Sequence, residues 1–335
     1  MGKAMPLRKL GRLGPTTSAL GLGCMAMAGV YGPVDRGEAL AALHEAVEAG
    51  IDLFDTGDFY GMGDNEMLLG EALRSIGRGR VQLSLKFGAQ RDPAGAWLGF
   101  DASPAAVKTA LAYSLKRLGT DYVDIYRPAR LDPRVPIEDT VGAIADLVRA
   151  GWVRHIGLSE VGSQTLRRAS SVHAICDLQI EYSLLSRDIE ASILPTCREL
   201  GIGVTAYGVL SRGLIGGGWR GAAAGSGDWR VAAPRFAGDN LQHNLRLLQP
   251  LQAIAAQRGA SVAQLALAWV LHRGDDIVPL LGASRRATLR DGLRALRVAL
   301  DDSELSALDA AFAPGAAAGA RYPQPQLAHL DSARG

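Results

Sequence analysis

The 335-residue sequence has no apolar run of the roughly 18 residues that a membrane-spanning helix needs; the longest candidate, LALAWVL, stops at His272. Its first residues, MGKAMPLRKLGRLG, lack the apolar stretch of a secretory signal, so a reducing cytoplasm is the expected location. Cysteine is scarce: Cys24, Cys176 and Cys197 are odd in number, far apart and free of CxxC spacing or clustered histidines. That argues against a disulfide framework or a zinc site, and no metal is expected. Charge of one sign is missing as well, because 36 Lys and Arg against 34 Asp and Glu leave +2, too little to attract nucleic acid or an anionic membrane. What remains, 48% hydrophobic and 21% charged residues with abundant Ala and Gly, is the composition of a soluble globular chain.

Eight short runs read as strands: SALGLGC, GIDLFDT, VQLSLKF, YVDIY, VRHIGLS, AICDLQI, GVTAY and DIVPLL. Helical spacing fills the segments between them, at 35–49, 64–77, 103–118, 136–150, 163–172, 188–199, 240–273 in two pieces, and 284–298. Asp35, Ser103 before Pro104, Pro136 and Asp188 are expected helix N-termini, and Gly50, Gly119, Gly151 and Gly201 expected C-terminal caps. Eight strand–helix units are the number that closes a (β/α)8 TIM barrel, so a single domain spanning 1–335 is expected. Two segments fall outside the pattern, a glycine-rich loop at 213–239 and a tail at 309–335, and each reads as either a lid or a disordered connection.

In such a barrel the reacting groups come from the C-terminal strand ends and the loops after them. Lys86 lies inside VQLSLKF, where a lone ammonium is expensive to bury. Asp55 is its candidate partner, and Tyr60, in DTGDFYG, is placed to swing over the same mouth. At about 4 Å and an effective dielectric near 20, an ammonium favours a phenolate by about 4 kcal/mol, or about three pKa units before desolvation opposes it. The same residues also fit a structural Asp–Lys pair closing the barrel with Tyr60 merely packed. In YVDIYRPARLD the fourth strand runs into Arg127 and Arg130 at the mouth, where an unused guanidinium would be costly.

LGLGCMAM, DTGDFYGMGDNEMLLGEAL, LSLKFG, VPIEDTVGAIADLVRAGWVRHIGLSE, LQIEYSLLSRDIE and TAYGVLSRGLI together resemble the aldo-keto reductase superfamily, in order, from about residue 7 to 310. They are most similar to its bacterial and plant branch of small-carbonyl, pyridoxal-type reductases, whose sequences read DTxxxYG and VPIEDT. The resemblance implies a (β/α)8 barrel that binds NADPH/NADP+, with hydride passed to a small-molecule carbonyl, or removed from an alcohol, and a proton from tyrosine. Asp55, Tyr60 and Lys86 match three of the four catalytic positions. The fourth, a histidine in the branch's YxQHR, falls on Ala129. Period-2 alternation puts Arg127 on the same side as position 129, so Arg127 is a candidate replacement donor or a balance for carboxylates near Lys86. The alternative is that Arg127 and Arg130 pair with Asp132 or Glu160 at the rim. Of the histidines, only His243 and His329 lie near the expected lids and have a route inward.

By the same resemblance, Ser159, Glu160 and Gln179 match positions that hold the nicotinamide carboxamide, and Tyr207 the aromatic that stacks on the ring. Gly23 and Met25 belong to the cofactor-contacting positions at the first strand's end, and Gly208, Val209, Leu210 and Arg212 to the pyrophosphate loop. Gly282, Ser284, Arg285, Arg286 and Asp291 match the segment that grips the adenosine 2′-phosphate at a helix N-terminus, which favours NADPH over NADH. Arg286, Arg290 and Arg294 also share a helical face, the pattern of a solvated basic stripe. A GxGxxA match at Gly21, Gly23 and Ala26 suggests a doubly wound dinucleotide fold, but Gly29, Gly32 and Pro33 forbid the helix that must open there. The competing functional reading is a weakly active or inactive cofactor-binding protein that serves as a redox-responsive partner, with Ala129 as the mark of lost chemistry.

Overall fold

The computed structural model describes residues 4–217, 219 and 228–333. Eight parallel strands close a barrel: β1 (Gly21–Gly23), β2 (Leu53–Gly57), β3 (Gln82–Phe87), β4 (Val123–Pro128), β5 (Val153–Ser159), β6 (Ile175–Glu181), β7 (Gly203–Tyr207) and β8 (Ile277–Gly282). They follow chain order around the barrel, β8 pairing with β1 through Gly282 and Gly23. All eight expected strands are present.

The helices α1 (Arg36–Glu48), α2 (Asp64–Ile76), α3 (Pro104–Leu118), α4 (Ile137–Arg149), α5 (Ser163–Val172) and α6 (Ile193–Leu200) alternate with the strands outside. The Asp35 and Ser103 side chains accept from the N–H groups of Glu38 and Ala106, as their cap positions require. Asp188 does not start a helix: it opens a single 3-10 turn, and α6 begins at Ile193 after Ser192. After β7 come α7 (Gly238–Leu247), α8 (Gln249–Arg258) and α9 (Val262–Leu271). These are three pieces where two were expected, because Pro250 restarts the chain in the first turn of α8 and Gly259 ends it at φ 60°. α10 (Arg286–Leu293), α11 (Asp302–Ala311) and the short α12 (Gln324–Leu327) complete the chain. Among the described residues no helix is long and apolar enough to cross a membrane.

Inside the barrel, side chains at every second position build layers. Leu53, Ile125, Val278 and Leu280 form an apolar floor, closed from below by Leu10 between the strands of an N-terminal hairpin. Two residues further along the strands the interior turns polar. Arg127 is fully buried and pairs with Asp177 at 3.0 Å, and Asp177 also accepts from the Thr205 hydroxyl. Gly157 makes room for that pair, since a Cβ there would sit 2.6 Å from the Asp177 carboxylate and 2.9 Å from Arg127 Nε.

Candidate active site at the C-terminal mouth of the barrel

Above this layer, Asp55 is the hub of a buried cluster. Its Oδ1 accepts from Lys86 Nζ at 2.5 Å, and its Oδ2 from Ser84 Oγ at 2.7 Å and Gln179 Nε2 at 2.6 Å. Strand register brings them together: Asp55 is paired with Ser84, and Lys86 lies two residues further toward the mouth. Tyr60, buried in the turn after β2, places its ring centroid 5.1 Å from Lys86 Nζ. The three expected reacting residues therefore meet.

Their electrostatics differ from the expectation that Lys86 acidifies Tyr60. Burial, reinforced by the Asp55 carboxylate, holds the Tyr60 hydroxyl well above the usual phenol range, with Arg130 the cation opposing it. Burial also lowers Lys86, against the pull of Asp55 and aided by the push of Arg127. Burial of the phenol is the larger cause, and the 2.5 Å contact makes Lys86 share its charge with Asp55, so the ammonium offsets that burial only in part.

Arg127 does not pair at the rim. Its guanidinium stays in the interior on Asp177, while Asp132 pairs with Arg134 and Glu160 with Arg321. Arg127 Nε and Nη1 have no hydrogen-bond partner. His243 and His329 do not reach inward either: the first meets the Ala316 carbonyl at 2.9 Å, and the second lies edge-on to Phe100.

The rim above Tyr60 is built largely by residues that sequence reasoning passed over. Glu160, at φ 54°, is buried in left-handed backbone. Its Oε1 accepts from the Glu181 N–H at 3.0 Å, Tyr207 OH at 2.6 Å and Arg321 Nη1 at 2.8 Å. Its Oε2 accepts from Arg321 Nη2 at 2.7 Å and from Ser332 Oγ. Burial would raise the carboxyl, but the Arg321 fork overrides it and holds Glu160 down to about 2. Tyr322 OH lies 2.8 Å from Tyr207 OH. The tail is thus docked across the mouth, anchored also by Ala318 on Asn244 and by Asp331 on the Gly162 N–H. Of the expected loop at 213–239, residues 218 and 220–227 lie outside the described residues; Arg230 reaches the Arg212 carbonyl at 3.0 Å, and Trp229 lies 6.0 Å from Tyr322. All four non-glycine residues with positive φ among those described, Met62, Glu160, Ser211 and Arg212, follow strands β2, β5 and β7 at this end of the barrel. Such strain concentrates at functional sites.

Several residues expected to meet a cofactor are engaged by the protein. The Gln179 amide donates to Asp55, and Arg212 pairs with Glu181 at 2.7 Å beneath the Tyr322 ring. The backbone through Gly208, Val209 and Leu210 curls so that the Ser211 N–H bonds the Gly208 carbonyl at 2.7 Å. Asp291 accepts from Ser261 and Gln264, tying α10 to the start of α9 rather than facing outward. Arg286 is held by Glu38, whose carboxylate also accepts the Arg286 backbone N–H at 2.9 Å. Ser284 is half-buried and Arg285 exposed at that helix start. Met25 sits in the 3-10 turn leaving β1.

A model of the aldo/keto reductase family matches residues 19–313. A protein from Glycine max named probable aldo-keto reductase 1 is 40% identical over 320 residues, covering 94% of this chain and 91% of that one. The chain belongs to the aldo/keto reductase family. Two solved structures share its fold. A glycerol dehydrogenase from Gluconobacter oxydans superposes with a TM-score of 0.83 at 27% identity, covering 93% of this chain and 96% of that one. A thermostable aldo-keto reductase solved with the inhibitor epalrestat gives 0.73 at 28%, covering 92% and 100%. This aldo/keto reductase is accordingly an oxidoreductase on a (β/α)8 TIM barrel, of a family that works with nicotinamide cofactors.

The mouth fits such a group. Ser159 Oγ is buried without a partner at the end of β5, an unspent hydroxyl of the kind a carboxamide satisfies. Gly282 and Gly23 lie side by side at the ends of β8 and β1, where a Cβ on Gly282 would meet nothing within 4 Å. Arg321 and Tyr322 left one legible trace: in ARYPQ they are the one adjacent charged and aromatic pair of an otherwise small-residue, proline-containing tail.

Proposed function

We propose that this aldo/keto reductase reduces a small aldehyde or ketone with NADPH, Tyr60 giving the proton. The observation that carries the reading is the buried Asp55–Lys86 pair at 2.5 Å beside the Tyr60 ring. Asp55 fixes the ammonium, and Ser84 and Gln179 fix Asp55, so Lys86 holds its position against the phenol without searching rotamers. Bound at the mouth, the dihydronicotinamide supplies hydride to the carbonyl carbon. Tyr60 then transfers its proton to the developing alkoxide, and the tyrosinate left behind is stabilised by Lys86 and recovers a proton from water. A phenol kept protonated by burial favours this direction, because alcohol oxidation needs the tyrosinate at the outset.

Ser159 and Tyr207 are the proposed contacts to the nicotinamide, with Glu160 available once Arg321 is displaced. Gly23, Met25, Gly282 and the loop from Gly208 to Arg212 would follow the rest of the dinucleotide. Ser284 and Arg285 are the donors proposed for the 2′-phosphate, with Arg286 released from Glu38. The branch motifs DTGDFYG and VPIEDT support a small, pyridoxal-type carbonyl as substrate.

Rapid mixing of the NADPH complex with excess aldehydes of varied shape should bleach the cofactor absorbance. Tyr60→Phe should slow the bleaching about 10²- to 10⁴-fold at unchanged NADPH affinity. Equal rates would remove Tyr60 from the mechanism. No bleaching of the wild type with any carbonyl would favour a protein that holds the cofactor without turning it over.

A further inference from the structure

A carbonyl oxygen that accepts a proton from Tyr60 carries growing negative charge while hydride arrives, and a second donor aimed at it lowers the barrier. Three candidates stand near the reacting well. Lys86 has its ammonium on Asp55 at 2.5 Å. Arg127, in register with Lys86, sends its guanidinium sideways and down to Asp177, at 3.0 Å, within the interior layer below the well. Arg130 is different. It follows β4 immediately after Ala129, whose N–H still bonds the Phe87 carbonyl at 2.8 Å and whose own side chain is buried and only a methyl. The Arg130 side chain folds back so that Nη1 donates to the Ala129 carbonyl at 2.6 Å, which ties the guanidinium to the backbone of this small residue. Its Cζ lies 6.0 Å from the Tyr322 ring, whose hydroxyl meets Tyr207, so it faces the mouth.

Arg130 is also unspent. Arg212 and Arg235 pair with Glu181, Arg321 with Glu160 and Arg127 with Asp177, whereas no carboxylate among the described residues lies within ion-pairing distance of Arg130. A single backbone hydrogen bond leaves four of five guanidinium N–H donors for another acceptor.

We infer that Arg130 is a catalytic residue, donating a hydrogen bond to the substrate's carbonyl oxygen from beside Ala129, in place of an imidazole there. The inference rests on the reductase reading above. No bond to Arg130 forms or breaks: hydride goes from dihydronicotinamide to carbon, the proton goes from Tyr60 to oxygen, and Arg130 only holds that oxygen and its charge. The electrostatics agree. Burial would lower the Arg130 guanidinium, but Tyr207, Tyr322 and Glu160 together raise it, so it keeps its charge at every working pH. Arg130 is also the cation that most opposes the rise of the Tyr60 hydroxyl.

The test measures turnover, NADPH affinity and pH profile in Arg130→Met, Arg130→Lys and the double variant Ala129→His with Arg130→Met. Arg130→Met should lose about 100- to 1000-fold in kcat while binding NADPH within about threefold of wild type, as a lost donor predicts. Arg130→Lys, still a charged donor, should recover part of that. The double variant should regain at least about a tenth of wild-type kcat, with a new limb near pH 6.5 from the imidazole, where the wild type is flat. If Arg130→Met turns over at the wild-type rate while Tyr60→Phe does not, the inference is wrong and the reductase reading stands. If Arg130→Met is slow but the double variant neither recovers nor gains the limb, Arg130 is structural and the inference fails. A wild type that oxidises NADPH with no carbonyl overturns both.

Discussion

Two buried carboxylates organise this barrel mouth, and they are held in opposite ways. Asp55 draws all its partners from strands, with Lys86, Ser84 and Gln179 on β3 and β6. Glu160 sits one step beyond β5 in left-handed backbone and draws its strongest partners from Arg321 and Ser332, 161 and 172 residues away in the tail. The Asp55 well cannot come apart unless the barrel does. The Glu160 rim can be released by moving one segment. The Asp55–Lys86 pair of the proposed chemistry thus lies in the sheet, with Tyr60 in the turn after β2, and the tail lies as a strap across the mouth above them. Tyr322 and Arg321 engage Tyr207 and Glu160, so on the proposed reading a nicotinamide would compete with the strap for them.

The contrast is broken most severely from inside. Lys86→Met removes the ammonium beside Tyr60 and leaves Asp55 buried with only neutral donors, Ser84 and Gln179. Turnover should fall about 1000-fold, with NADPH affinity nearly unchanged, as steady-state kinetics and fluorescence titration would read. A loss of affinity as large as the loss of turnover would mean that the well and the rim are one unit.

The well was legible in the sequence for a physical reason. Alternation along a strand is rigid, so a lysine in VQLSLKF and an aspartate in GIDLFDT have to point inward at predictable heights once eight parallel strands are counted. The same rule put Arg127 inside, but it could not show that Asp177 lies across a glycine at position 157 to take it. The rim was not legible, because nothing periodic connects Glu160 to a tail arginine 161 residues later. Left-handed backbone at Glu160, Ser211 and Arg212 has no glycine to announce it. The helix starts at Asp35 and Ser103 were readable from local caps, whereas the start of α6 moved because Asp188 is used in a 3-10 turn.

The rim itself is probed by pH. Glu160 has a folded pKa of about 2, below its ordinary 4.5, so its ionised form stabilises the fold fully above about pH 4.5 and loses that contribution as pH falls toward 2. Those values correspond to about 3 kcal/mol at neutral pH, of which about 2 kcal/mol should vanish between pH 5 and pH 3. Glu160→Gln cannot ionise, so the difference in unfolding free energy between wild type and variant, from urea titrations, should narrow by that amount on acidification. A constant difference would mean that Arg321 does not grip the carboxylate in solution.

The smallest effect belongs to the outermost pair. Glu38 binds the Arg286 guanidinium at 3.0 Å and accepts the Arg286 N–H at 2.9 Å, standing at the start of α10 as a built-in anion where the adenosine 2′-phosphate is proposed to sit. Both partners are solvent-accessible, so the tie is weak and a dianion can displace it. Glu38→Gln should therefore raise the preference for NADPH over NADH by about two- to fivefold, through NADPH affinity alone and with kcat unchanged. High salt should erase the difference, because screening acts on exposed charges and spares buried ones. The Lys86→Met defect should survive the same salt, and that divergence separates a site built by the sheet from a rim built by loops.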